Sequence, residues 1–214
     1  MDERVRVQRG DAGQEGAEAQ RREVIPTEAH PLQPFLPDNA RLLMLGSFPP
    51  PRKRWSMEFY YPNWGNDMWR IFGLIFFGDK DHFADTANKC FRKEELVSFL
   101  REKGVALFDT ATVVRRLQEN ASDKFLEVVQ PTDIPALLRQ LPHCQALVTT
   151  GEKATDTLCQ CFHIEHPAVG CYTTFHFEGR TLRLYRMPSS SRAYPLALEK
   201  KAAAYRTLFQ ALFY

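Results

Sequence analysis

Four short apolar runs recur along the chain, Leu42-Leu43-Met44-Leu45, Val105-Ala106-Leu107-Phe108, Ala146-Leu147-Val148-Thr149 and Leu182-Arg183-Leu184-Tyr185, each closed by turn residues. Runs of that length read as strands. Helical periodicity stands between and after them, over Met68–Phe77, Lys93–Lys103, 134–141, Glu152–Phe162 and 195–213. Strands alternating with helices imply parallel strands covered on both faces, because right-handed crossovers lay the helices there. The expected fold class is α/β, a three-layer α/β/α sandwich with a mainly parallel four-stranded central sheet. The last strand should be the second half of a hairpin, since 171–177 and 181–186 flank Glu178-Gly179-Arg180.

With 214 residues, 44% of them hydrophobic, there is apolar material for one core and no need of a second. Residues 1–24 carry almost no large apolar side chain and read as a disordered tail, leaving 25–214 as a single α/β domain. Pro26, Pro31, Pro34 and Pro37 make 25–39 an extended lead-in whose Phe35 and Leu36 dock on the body. The net charge of +2 says little about a polyanionic partner, so any such case must come from local charge. Five cysteines, with no C-x-x-C pair and no secretory leader, read as reduced thiols of a cytoplasmic protein and not as metal ligands. Burial of those thiols is the ordinary expectation. No apolar run is long enough to span a bilayer, and the chain is expected to act as a monomer.

An open parallel sheet binds its ligand beyond the carboxyl ends of the strands, so the segments that follow them are where chemistry is sought. After the first strand come Gly46-Ser47-Phe48-Pro49-Pro50-Pro51-Arg52-Lys53-Arg54, a stiff loop whose glycine admits a ligand to the backbone and whose cations suit phosphate. A solvated basic tip is the plainer reading of the same residues. Trp55, Phe59, Tyr60, Tyr61 and Trp64 follow, aromatics suited to stacking on bases. Asn66 then stands before a helix, where it either caps that helix or does chemistry. At the end of the second strand Asp109 either braces a turn or presents a carboxylate to the edge of an extruded base. Thr150-Gly151 is a strand-to-helix turn with N–H groups that can meet an anion. Pro188-Ser189-Ser190-Ser191-Arg192 reads as a phosphate clamp or groove wedge, or as a serine-rich lead into the last helix.

Taken together, these segments over about 42–213 resemble the uracil-DNA glycosylase superfamily, and most closely its hypoxanthine-DNA glycosylase-like and mismatch-specific branches. Leu45-Gly46-Ser47-Phe48-Pro49 matches the water-activating motif in position. Tyr60-Tyr61 with Asn66 and Trp69 is similar to the hypoxanthine branch's tyrosine pair and Asn-x-x-Trp. Gly104-Val105-Ala106-Leu107-Phe108-Asp109 is similar to the base-reading strand, and Met187-Pro188-Ser189-Ser190-Ser191 to the wedge loop. The chain departs from the pattern at two places: the first motif offers Ser47 and Phe48 where an Asp or Asn often holds the attacking water, and Met187 stands where some branches carry a histidine. The cluster-binding cysteines of other branches are absent, so no cofactor is implied.

The resemblance implies a monofunctional glycosylase whose partner is DNA with a damaged or mismatched base. It would flip a deaminated base, uracil or hypoxanthine-like, into a pocket of Gly46, Ser47, Phe48, Tyr60 and Asp109 and hydrolyse its N-glycosidic bond. Asn66 is then the catalytic group, and Pro49, Arg52, Lys53, Arg54, Pro188, Ser189, Ser190, Ser191 and Arg192 hold the DNA. The missing acid and histidine motivate a second expectation, a DNA-binding module of the same fold that recognises unusual bases without cutting. A third, a nucleotide-binding αβ protein, rests on Thr150-Gly151 alone.

Overall fold

A computed structural model of the chain describes residues 25–118 and 123–214, and the tail expected over 1–24 lies outside them. In order, the elements are β1 (Thr27–Ala29), β2 (Leu42–Gly46), α1 (Met68–Phe77), β3 (Ala84–Asp85), β4 (Cys90–Phe91), α2 (Lys93–Lys103), β5 (Val105–Asp109), β6 (Ala111–Arg116), β7 (Leu126–Pro131), α3 (Ile134–Arg139), β8 (Ala146–Thr150), α4 (Glu152–Phe162), β9 (Tyr172–Phe177), β10 (Arg180–Met187) and α5 (Leu198–Phe213).

The central sheet has the order β5-β2-β8-β10-β9. Its first four strands run parallel, as the apolar runs imply, but β9 pairs antiparallel with β10 and makes the sheet five-stranded instead of four-stranded. The reason is the hairpin: Glu178 and Gly179 both take positive φ, 44° and 77°, the backbone of a tight two-residue turn whose twist matches its strands. Every residue of β2, β5 and β8 is buried. Successive side chains on a strand point to opposite faces, so this sheet is covered on both. Helix α1 packs on α5, α2 on β5, α4 on β8 and α5 on β10.

A second, antiparallel sheet of order β1-β6-β7 departs from expectation, since the stretch after Asp109 reads as a loop in the sequence. Ala111 and Val114 of β6 are buried with Leu126 under Phe48 and Val128, a satellite core that the charged Arg115-Arg116 obscures in the sequence. The lead-in becomes β1, paired with β6 and tied by Glu28, whose two carboxylate oxygens accept from Arg116 at 3.0 Å each. Beyond it, Phe35 exchanges two backbone hydrogen bonds with Leu107 and covers the outer edge of β5. The main core draws on residues from Ala40 to Leu212. Cys144 and Cys159 lie in it, burial pushing the Cys144 thiol up to about 11, while Cys161 and Cys171 are exposed, against the expectation of burial.

Candidate functional site

Strand β2 is where the chain's course across the sheet reverses, for β5 lies on one side of it and β8 on the other. The loops leaving such neighbours diverge and open a crevice at their carboxyl ends. A cavity of about 130 Å³ lies there, walled by Gly46 to Pro50 after β2, Tyr60 to Asn63, Asn66, Asp109 at the end of β5, Asp123, Thr150 at the end of β8, and Ser189 to Ser191 after β10. That volume is below the ~300–1,000 Å³ of pockets for drug-sized ligands. A space of that size admits a single small group.

Each wall is fixed by its own bonds. Asp109 is buried, and its Oδ2 accepts from His30 Nε2 at 2.9 Å, a residue delivered by the chain just after β1. Its Oδ1 lies against Gly46, where a Cβ would come within 2.5 Å of it, so only glycine leaves room for the carboxylate. His30 in turn packs edge-on to Phe48, with ring centroids 5.2 Å apart, and against Phe108 at 4.6 Å. Tyr61 holds φ at +48° and places its hydroxyl 3.2 Å from Thr150 Oγ1, joining the aromatic loop to β8. Burial, with the Asp109 and Asp123 carboxylates nearby, pushes the Tyr61 phenol upward, so it stays protonated. Tyr60 lines the cavity too, but its ring is buried and its hydroxyl donates to Gln33 O at 2.7 Å.

Asn66 is not the N-cap of α1, a position that falls to Asp67. Nevertheless Asn66 Oδ1 accepts from Met68 N–H at 2.9 Å, while its Nδ2 makes no hydrogen bond among the described residues. The structural reading of this side chain is met by that one bond, which leaves its amide nitrogen unused among the described residues. Asp67 faces away from the cavity into a buried cluster, its Oδ2 accepting from Lys201 Nζ at 3.0 Å and its Oδ1 from Arg192 Nε at 3.3 Å. Lys201 Nζ also donates to Ser191 O at 2.7 Å, and Asp67 N–H to Ser190 O at 2.8 Å. Tyr205 donates to Pro188 O at 2.9 Å. Helix α5 thus clamps the serine loop onto the Asn66 turn.

The cations expected to hold DNA differ in how far they are already engaged. Arg52 is paired with Glu58 and lies over the Trp55 ring, and Arg192 has one nitrogen on Asp67. Lys53 and Arg54 are exposed in the same short turn, Arg54 with no ion pair among the described residues. Pro49 and Pro188 are buried, Pro49 in the cavity wall and Pro188 at the root of the serine loop. Four important residues escaped sequence reasoning: His30, Tyr61 as a strained wall residue, Lys201 and Asp123. The Asp123 carboxylate accepts from Ser47 Oγ at 2.7 Å inside the cavity.

A solution structure of a protein from Methanosarcina acetivorans, given the provisional name uracil DNA glycosylase, superposes with a TM-score of 0.58 over 87% of this chain and 99% of that one, at 21% identity. The chain shares that protein's fold. No protein-family model and no curated protein matches it in sequence. No helix among the described residues is long and apolar enough to cross a membrane.

Proposed function

We propose that the chain is a monofunctional DNA glycosylase of the uracil-DNA glycosylase kind, acting on a deaminated base turned out of the helix. The observation that carries this reading is the convergence of Phe48, Asn66, Asp109 and the 189–191 serines, from four separate segments, around one base-sized cavity at the carboxyl edge of a parallel sheet. Extrusion is needed because the glycosidic bond of a stacked base is out of reach, and a base-sized recess then reads the base edge.

The parts have distinct tasks. Asp109, held by His30, offers Oδ1 as an acceptor for a ring N–H, which uracil, hypoxanthine and xanthine possess and which cytosine and adenine lack at the corresponding ring nitrogen. Phe48 supplies an apolar face for the base. Asn66 Nδ2 is available to orient water or sugar. Because the sugar approaches an oxocarbenium ion as the bond breaks, orientation and fixed dipoles can supply much of the rate. The 188–192 loop and Arg54 face DNA phosphate. The test is single-turnover cleavage of single-stranded and mismatched oligonucleotides carrying uracil, hypoxanthine or xanthine, with the expected outcome excision of at least one. Failure to excise any of them at high enzyme, with DNA binding intact, would replace this reading with the non-cutting binding module.

A further inference from the structure

The first strand-end motif lacks a carboxylate at its own positions, where Ser47 and Phe48 stand. The tertiary structure brings one there from elsewhere. Asp123, in the short 3₁₀ turn Asp123–Phe125 that enters β7, lines the cavity and accepts from Ser47 Oγ at 2.7 Å. Ser47 itself is buried just after β2, so the hydroxyl is a fixed donor that aims the carboxylate. A Cβ placed on Gly151 would lie 3.7 Å from Asp123 Oδ2, so the head of α4 closes the other side. The ion pairs that brace the fold around the cavity use other acids. The clamp on the serine loop uses Asp67, and the anchor of β1 uses Glu28.

We propose that Asp123 is the catalytic base of the reaction, positioned by Ser47 and substituting from the β6–β7 connection for the acid that the first motif does not supply. This rests on the glycosylase reading. In the step, a water O–H bond breaks and its proton passes to the Asp123 carboxylate as the water oxygen bonds to C1′ of the sugar. The C1′–N bond breaks and its electron pair leaves with the base, whose anion takes a proton from solvent on release. Asn66 then orients the sugar or water and Asp109 holds the base edge, so the three polar groups divide the work.

The surroundings raise the basicity of this carboxylate above that of an ordinary one. Burial and the charge of Asp109 on β5 push the Asp123 carboxyl upward, while the Ser47 hydroxyl, Lys153 on α4 and Arg116 on β6 pull it back, and the Tyr61 phenol, facing it from the aromatic loop, stays neutral. A base with a raised pKa is the stronger proton acceptor and is ionised only above that pKa, so excision should fall as pH falls through it. The sign for stability is opposite. An acid whose pKa is higher folded than unfolded binds more protons in the native state, so its contribution to stability declines as pH rises from the unfolded value through the folded one.

Three variants of the full chain test the assignment by single-turnover excision across pH beside thermal unfolding. Asp123→Asn is expected to lose 100-fold or more in rate and to lose the acid limb of the profile, with a melting temperature at neutral pH equal to or above the parent's. Ser47→Ala removes the bond that lowers the carboxyl, so its acid limb should move to higher pH. Asp123→Glu should retain part of the rate and keep an acid limb. Parental rate and profile in Asp123→Asn overturn the proposal, as does an unmoved limb in Ser47→Ala should Asp123→Asn fail to fold. Absence of any excision by the parent defeats the glycosylase reading and this assignment together, whereas parental excision with an indifferent Asp123→Asn defeats this assignment alone.

Discussion

Asn66 makes one structural bond with its amide and, on the proposed glycosylase reading, has a second task in the cavity. Its oxygen holds the Met68 N–H at the start of α1, the residue lines the cavity, and its nitrogen makes no hydrogen bond among the described residues. The two roles have different magnitudes. Losing a bond of the capping kind costs about 0.5–2 kcal/mol of stability, whereas losing one preorganised polar group in the transition state costs about 2.7–4 kcal/mol, or roughly 100-fold and more in rate. Asn66→Ala is therefore expected to melt slightly lower, to bind abasic DNA still, and to excise at least 100-fold more slowly. Asn66→Asp keeps the acceptor and should keep the fold, with excision altered by a new charge beside the serine loop. Single-turnover rates measured well below each melting point separate the effects. A parental rate in Asn66→Ala would leave the residue a turn-former only.

At the scale of elements, α5 does more than cover the sheet with its apolar face. Its Lys201 is fully buried and bonded to Asp67 and Ser191, while Tyr205 holds Pro188, so one helix sets the position of both the serine loop and the α1 entrance. Two charges buried together are tolerable, but one left alone is not. Removing a single partner of such a pair typically costs about 3–5 kcal/mol. Lys201→Met should thus lower the melting temperature by roughly 2–4 °C for each kcal/mol in a chain of this length, and Lys201→Met with Asp67→Leu should recover part of it. Calorimetry of the parent, both single variants and the double variant checks this. Additive losses in the double variant would show that the pair is not coupled. The small sheet β1-β6-β7 plays a comparable part, for it brings in His30 behind Asp109 and its β6–β7 connection carries Asp123 in the 3₁₀ turn.

For the whole molecule, a net charge of +2 means that the DNA attraction the proposed reading requires must come from a few placed cations. Arg54 stands exposed and without an ion pair among the described residues, on the loop that continues from the cavity wall, whereas Arg52 already has Glu58. Arg54→Ala is expected to weaken binding to damaged and undamaged duplexes alike and to reduce the slope of log affinity against log salt by about 1. Fluorescence titrations at several salt concentrations provide the measurement. Weakening confined to one damaged base would show that the residue reads chemistry and not phosphate.

The sheet and its helices were legible because their signals are local. An apolar run of four or five residues and a helical repeat of eleven are written in neighbouring positions, and residues buried on both faces of β2, β5 and β8 leave no polar alternation to mislead. Asp109, Ser47, Phe48 and the serine loop followed from the same reading, since each sits at or directly after a strand end. The fifth strand, the second sheet and the completing side chains did not follow. β6 buries only Ala111 and Val114, three residues apart across an irregular register and followed by two arginines, so no alternation marks it, and β1 is a strand only because β6 is there to pair with it. His30 meets Asp109 across 79 residues, Asp123 meets Ser47 across 76, and Lys201 meets Asp67 across 134. A lone histidine, aspartate or lysine in a polar stretch carries no periodicity, so its partner is set by chain topology and packing. The sequence alone determined where a cavity would open; the tertiary structure decided which carboxylates face into it, because only long-range packing brings such groups together and removes them from water.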